Sequence, residues 1–201
     1  MVDWDKRYAE ADASMFGRAP NNYVVQTLAR PDFAARSALC LADGAGRNGR
    51  YLAQAGLAVT GVDLSRVGTD LAIAQDDAAG VTVERVTADL ADWQPPADQR
   101  WDAAFLIYLH CERTVRRRAV ELAARHLASG GWFVAEGFAV DDGTGPRMGP
   151  PDPDLRYAIA DFDHWLAGFE LIEAFSGIIR LDEGAKHQGL APVVRYAARK
   201  P

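Results

Sequence analysis

Ala38-Leu39-Cys40-Leu41-Ala42-Asp43-Gly44-Ala45-Gly46-Arg47-Asn48-Gly49 is the stretch that decides the fold. Its first four residues are a short apolar run, expected to be a buried strand with Cys40 in the core. Gly44, Gly46 and Gly49 then spell G-x-G-x-x-G, and Gly49 to Ala55 reads as a helix that Gly56 ends, as glycine commonly does one position past a helix. Strand, glycine turn and helix in that order make a corner suited to an anionic or nucleotide-like ligand. Glycines allow close backbone approach, and the helix N-terminus offers free N–H groups. Alone, this pattern is shared by many sites.

Working outward, strands and helices alternate. Val59 to Asp63 reads as a second strand. Ser65 is an N-cap for a helix running to about Ala79, which Gly80 closes. Val81 to Thr87 alternates β-branched and polar residues, as a half-buried strand does, and Trp101 to Leu109 is a nearly continuous apolar strand. Thr114 to Leu127 is helical, Ser129-Gly130-Gly131 breaks it, and Trp132 to Phe138 is again a strand. A Gly- and Pro-rich segment from Asp141 to Pro153 is a candidate lid or substrate loop. Asp154 to Leu166 reads as a short helix, and Phe169 to Leu181 and Pro192 to Arg199 as an antiparallel pair around the turn Gly184 to Gly189. The expected fold is α/β: a Rossmann-like, doubly wound, mostly parallel seven-stranded sheet with an antiparallel C-terminal pair. Residues 1–201 read as one domain, with 1–30 as an N-terminal cap. In such a sheet ligands bind along the edge formed by the strands' carboxyl ends. Asp43, Asp63, Asp89 and Tyr108 to His110 are therefore expected to converge.

Composition bounds the function. Hydrophobic residues make up 49% and charged ones 25%, as in an ordinary globular chain. Acidic residues outnumber basic ones 28 to 22, for a formal charge of −6, which argues against a nucleic-acid surface and for a small substrate. The densest basic run, Arg113 to Arg118, reads as the solvated start of a helix. Two cysteines, Cys40 and Cys111, make no disulfide framework. No apolar stretch approaches a membrane span, and the N-terminus is too polar for a signal peptide, so a cytoplasmic monomer or homodimer is expected. His110, His126, His164 and His187 show no metal-ligand spacing, so no metal is expected.

Asp63, at the end of the second strand, is placed to accept hydrogen bonds from ribose hydroxyls, with Leu64 beside it; its plainer role is to cap the next helix. To this point NAD and S-adenosylmethionine sites look alike. Asp89, after the third strand, separates them. In methyltransferases an acid there meets the adenine amino group and the next backbone N–H, here of Leu90, meets the ring, although turn aspartates are common. His110 leaves the fourth strand in Ile107-Tyr108-Leu109-His110-Cys111 and is the candidate general base, with Tyr108 beside it; the alternative is a histidine that hydrogen-bonds a loop.

Several further segments carry a resemblance. Trp4-Asp5-Lys6-Arg7-Tyr8, Phe16-Gly17-Arg18-Ala19-Pro20-Asn21, Gly44-Ala45-Gly46-Arg47-Asn48 and the late set Glu183-Gly184, His187, Gly189 and Val193-Val194 are similar, in order, to motifs of the class I S-adenosylmethionine-dependent methyltransferases, in particular the small tellurite-resistance and thiopurine methyltransferase-like group. The resemblance implies S-adenosylmethionine as cofactor and methyl transfer to a small molecule. It implies cofactor roles for Gly44, Gly46, Asn48, Asp63, Leu64, Asp89 and Leu90, and an acceptor-side place for His187. Trp4, Tyr8 and Tyr23 are candidate aromatic faces for the sulfonium or acceptor, and Arg7 a candidate for the cofactor carboxylate; packing of a terminal helix is the plainer alternative. Relatives carry an acid where this chain has Cys40, so Asp43 is a candidate replacement towards the methionine amino group. Two rival readings remain. One is an NAD-dependent oxidoreductase, to which a Tyr196-x-x-x-Lys200 coincidence lends little because it lies on a strand. The other is a domain that binds S-adenosylmethionine without catalysis.

Overall fold

The computed structural model describes residues 2–10, 16–141, 143 and 145–201. The expected lid, residues 141–153, and the N-terminal cap are therefore described except at 142, 144, 1 and 11–15. In chain order the elements are α1 (Trp4–Glu10), α2 (Asn22–Leu28), β1 (Ser37–Leu41), α3 (Arg47–Gln54), β2 (Ala58–Asp63), α4 (Arg66–Ala79), β3 (Glu84–Thr87), β4 (Trp101–Ile107), α5 (Arg113–His126), β5 (Leu127–Phe138), a 3-10 turn (Pro153–Leu155), α6 (Ile159–Trp165), β6 (Glu170–Asp182) and β7 (Gln188–Arg199). The seven strands form one sheet in the order β3-β2-β1-β4-β5-β7-β6. The first five are parallel; β7 runs antiparallel to β5, and β6 antiparallel to β7.

Strand parity builds two cores. Leu39, Leu41, Ala104, Leu106, Phe133 and Ala135 face α5 and α6, where they pack with Val120, Leu122, Phe162 and Trp165. Ala38, Cys40, Ala103, Phe105, Trp132 and Val134 face the other way, against Val24 of α2 and Leu52 of α3. Burial on both faces is why these strands read as unbroken apolar runs. Ser65 caps α4 by accepting from Gly68 N at 3.0 Å, and Gly80 ends it with φ of 65°. No helix among the described residues is long and apolar enough to cross a membrane.

Three local expectations change. β5 begins at Leu127 rather than Trp132: Trp101 pairs with Leu127 and Ala103 with Trp132, so the intervening residues bulge out instead of ending the strand. The helix expected over 154–166 is parted at Arg156 to Ala158, where Tyr157 bridges to Ala139. The basic run is not solvated throughout. Arg116 is buried, with its guanidinium over the Tyr157 ring at 4.5 Å and its Nη atoms donating to the carbonyls of Arg156 and Asp154.

Candidate active site

A cavity of about 810 Å³ opens at the carboxyl ends of the parallel strands. Its lining includes the glycine turn, the acids Asp63 and Asp89, the β4 exit from Ile107 to Cys111, Trp4, Arg7 and Tyr8 of α1, and Phe16, Lys186 and His187. Leu64, Leu90 and Asn48 also line it. Of the residues singled out from sequence, Gly46 stands within the turn just behind the lining, and Tyr23 lies elsewhere. Asn21 caps α2 by accepting from Tyr23 N and Val24 N, and this start of the helix sends Tyr23 into the core beneath it, under the Arg195 guanidinium at 4.9 Å.

The turn is organised from its neighbours. Asp63 accepts from Gly44 N and from Ser65 N, both at 2.8 Å, so it joins the ends of β1 and β2. Burial raises its pKa, and those two hydrogen bonds oppose the rise. Asp43 lines the cavity, but its carboxylate is held by neighbours within the fold. Arg85 Nη1 donates to its Oδ2 at 2.5 Å, and Gly49 N donates to the same carboxylate at 3.2 Å. Its side chain is 2% exposed and already partnered, so the expected contact with a methionine amino group does not follow from its placement. Asp89 caps its own turn through Ala91 N at 2.8 Å while lining the cavity.

The N-terminal segment closes over this turn. Asp5 accepts from Ser65 Oγ at 2.6 Å and Val67 N at 3.1 Å, which docks α1 on the start of α4. Tyr8 lies so close over the turn that a Cβ at Gly44 would stand 2.1 Å from its hydroxyl. From Trp4 an aromatic wall runs along the cavity: Trp4 to Phe16 at 6.3 Å, Phe16 to His187 at 5.2 Å, His187 to Tyr108 at 4.3 Å, Tyr108 to Phe138 at 4.9 Å and Phe138 to His110 at 5.1 Å.

His110 is spoken for on both ring nitrogens. Nδ1 donates to Leu155 O at 2.7 Å, and Nε2 accepts from Phe138 N at 3.4 Å. Burial lowers its pKa to about 4, so the ring is neutral at physiological pH. His187 is also neutral, its pKa lowered to about 3 by burial and then by the Arg47 charge. In contrast, its Nδ1 is buried without a hydrogen-bond partner, and so is the Tyr108 hydroxyl. Tyr108 carries φ of 57°, a left-handed conformation uncommon for a residue with a side chain, at the point where β4 enters the site.

Sequence reading missed the cluster that joins the motifs. Asn21 Nδ2 donates to Glu136 at 2.6 Å and to Glu183 at 3.0 Å, and Asn21 N donates to Asn48 Oδ1 at 2.9 Å. Arg47 Nη2 donates to Glu183 at 2.8 Å and Arg195 Nε to Glu136 at 2.6 Å. The backbones of the Phe16-Gly17 and Glu183-Gly184 segments touch: a Cβ at Gly184 would stand 2.2 Å from Gly17 N. Three motifs far apart in sequence are thus one buried, charge-balanced unit. The signal was present, since a Glu in the apolar run of β5 has no local role there.

Residues 38–131 match the family model for a methyltransferase domain. A search of curated proteins finds no match. Among solved structures the fold is similar to one from work on the conversion of a disulfide bond into a thioacetal group during echinomycin biosynthesis, with a TM-score of 0.77, 19% identity, and coverage of 98% of this chain and 90% of that one. It is similar to TehB from Haemophilus influenzae, with a TM-score of 0.73, 16% identity and coverage of 100% and 68%. It is similar also to the N-methyltransferase NodS from Bradyrhizobium japonicum WM9 in complex with S-adenosyl-L-homocysteine, with a TM-score of 0.72, 14% identity and coverage of 100% of both chains. The sheet order and the strand-end cavity are those of a fold shared with these structures, and residues 38–131 match the methyltransferase-domain model within it.

Proposed function

We propose that the chain transfers the methyl group of S-adenosylmethionine to a small-molecule acceptor seated against Tyr108, Phe138 and His187. One observation carries this: a single cavity joins the glycine turn and strand-end acids to an aromatic wall of Phe16, Tyr108, Phe138, His110 and His187. The residues fit the cofactor. Asp63 has lone pairs left and would accept from ribose hydroxyls, Asp89 and Leu90 would meet the adenine, and Trp4, Arg7 and Tyr8 would cover the methionine end.

Bound S-adenosylmethionine supplies a methyl already activated on a sulfonium. What remains for the protein is to align the acceptor and exclude water. The aromatic wall stabilises cationic charge without accepting the methyl. The Tyr108, Phe138 and His187 rings form the face against which the acceptor packs. His110 serves as a prop between Leu155 and Phe138 rather than as a base. His110 and His187 lie far below neutrality, Cys111 is pushed up to about 11 by burial, and burial raises the Tyr8 and Tyr108 phenols. None of these groups takes up a proton at neutral pH. The reading favours an acceptor that arrives with its lone pair free, such as a thiolate, an oxyanion or an aromatic ring nitrogen.

The test has two stages. S-adenosylmethionine and S-adenosylhomocysteine should raise the melting temperature while NADH does not; ligand at a hundred times its Kd contributes about 2.7 kcal/mol. A response to NADH alone overturns the reading. Product S-adenosylhomocysteine should then accumulate with at least one member of a panel of thiols, oxyanions and azaaromatics, and cofactor binding with no turnover across the panel would favour a non-catalytic domain.

A further inference from the structure

The glycines of the turn are small for a reason other than ligand approach. A Cβ at Gly49 would stand 2.4 Å from Asp43 Oδ2, one at Gly46 would stand 2.5 Å from Arg85 Nη2, and one at Gly61 in β2 would stand 2.4 Å from Arg85 Nη1. Three glycines on three elements thus shape one slot, and the Asp43–Arg85 ion pair fills it. Arg85 reaches in from β3. It donates from Nη1 to Asp43, from Nε to Asp76 at 2.8 Å and from Nη2 to the Gly46 carbonyl at 3.3 Å. Asp76 in turn accepts from Arg50 at 3.4 Å, on the helix that the turn begins. Cys40 pairs in register with Gly61, directly beside the slot.

We propose that Arg85 is a positioning residue for the cofactor: clamped between Asp43 and Asp76, it fixes the backbone of residues 43–49 in the conformation that holds S-adenosylmethionine. This rests on the turn being the cofactor site. The arginine makes a buried acid at Asp43 workable. The Asp43 carboxylate can then hold Gly49 N from below while its charge is neutralised from β3. A lysine cannot span the same three acceptors with one ammonium.

The test is the affinity of the purified full chain for S-adenosylhomocysteine by titration calorimetry, with far-UV circular dichroism as the check on fold. Arg85→Met is expected to weaken binding by about tenfold, about 1.4 kcal/mol, because residues 43–49 are then no longer tied to β3 and Asp76. Arg85→Lys should fall between Met and wild type. Gly61→Ala does not touch the cavity, yet it should weaken binding in the wild-type background by pushing the guanidinium. It should have no further effect on top of Arg85→Ala, where the slot is vacant. A merely structural arginine would lower the melting temperature of these variants and leave the dissociation constant of the folded fraction unchanged, which would overturn the proposal. Equal and additive losses for Gly61→Ala in both backgrounds would overturn it as well. If Arg85→Met does not fold, Arg85→Lys and Gly61→Ala decide between the two outcomes. Failure of the wild-type chain to bind S-adenosylhomocysteine would instead count against the cofactor site itself.

Discussion

The floor of the cavity and its acceptor wall are both buried, both polar in part, and differ in one respect. Beneath the turn the groups that matter are saturated: Asp63 takes two backbone N–H groups, Asp43 takes Arg85 and Gly49, and Asn21 links Glu136 to Glu183. Along the wall, His187 Nδ1 and Tyr108 Oη have no partner. Buried polar atoms without partners also occur away from the cavity, at Tyr23, Arg116 and Trp165, so what sets the wall apart is its aromatic lining. On the proposed reading, the saturated floor is preorganised for the cofactor and the aromatic wall takes the acceptor.

The most direct way to break this contrast is to remove a partner from the saturated side. Asn21→Ala takes away an N-cap, worth about 0.5–2 kcal/mol, and leaves two buried carboxylates short of a donor, at about 1.5–3 kcal/mol for a hydrogen bond to a charged group. A loss of about 3 kcal/mol in urea unfolding is expected. A loss within the scatter of a surface substitution would mean that the three motifs are adjacent but not coupled.

Asp63→Ala should come next. It strands the N–H groups of Gly44 and Ser65, at about 1–3 kcal/mol for each buried group left unsatisfied, and S-adenosylhomocysteine affinity should fall on the order of a hundredfold. Binding at wild-type strength would remove Asp63 from both the turn and the ribose.

The wall makes its own prediction through acid. The unfolded chain protonates both histidines near 6.5, whereas folded His110 and His187 resist until about 4 and about 3. Between those limits the unfolded state binds more protons, so their contribution is complete above pH 6.5 and is lost as pH falls through that window. Each pH unit by which one folded-state value lies below the unfolded one is worth about 1.4 kcal/mol. Asp63, whose folded pKa is raised, works in the opposite direction and softens the loss. Urea midpoints at pH 7.5 and pH 5 should differ in the wild type and differ less in His187→Phe. Equal midpoints in the wild type would show that the wall histidines are hydrated rather than buried.

Much of this was legible locally. Alternation of apolar runs with capped helices placed the parallel strands, and Ser65 and Gly80 bounded α4 because capping is a matter of adjacent residues. The strand-end acids Asp63 and Asp89 reached the cavity because a parallel sheet has one carboxyl edge. What local pattern could not hold was cross-element purpose. Gly49 and Gly61 read as space for a ligand and as an ordinary strand residue; both make room for Arg85 and its partner, which lie on other elements. Tyr23 read as an aromatic face for the site, because the residues that aim it into the core, Asn21 and the strands behind α2, are fixed only by the tertiary fold. Asp43 read as a candidate replacement for an acid at the Cys40 position, but its partner Arg85 sits on β3 and could not be read from the turn.

The smallest expected effect discriminates most finely between floor and wall. If no wall group accepts a proton near neutrality, the pH profile of kcat/KM reports the acceptor's own ionisation and nothing of His110 or His187. Two acceptors of one class and different acidity, such as an aromatic and an aliphatic thiol, should then show ascending limbs displaced from each other by the difference in their own pKa values. His110→Asn should leave both inflections in place even where it lowers the rate by loosening Phe138. A limb that stays between pH 6 and 7 for both thiols and vanishes in the His110 variant would place a working base in the wall. That base would need its Nε2 freed from Phe138 N and a pKa lifted well above about 4, a change that only the bound acceptor or cofactor could supply.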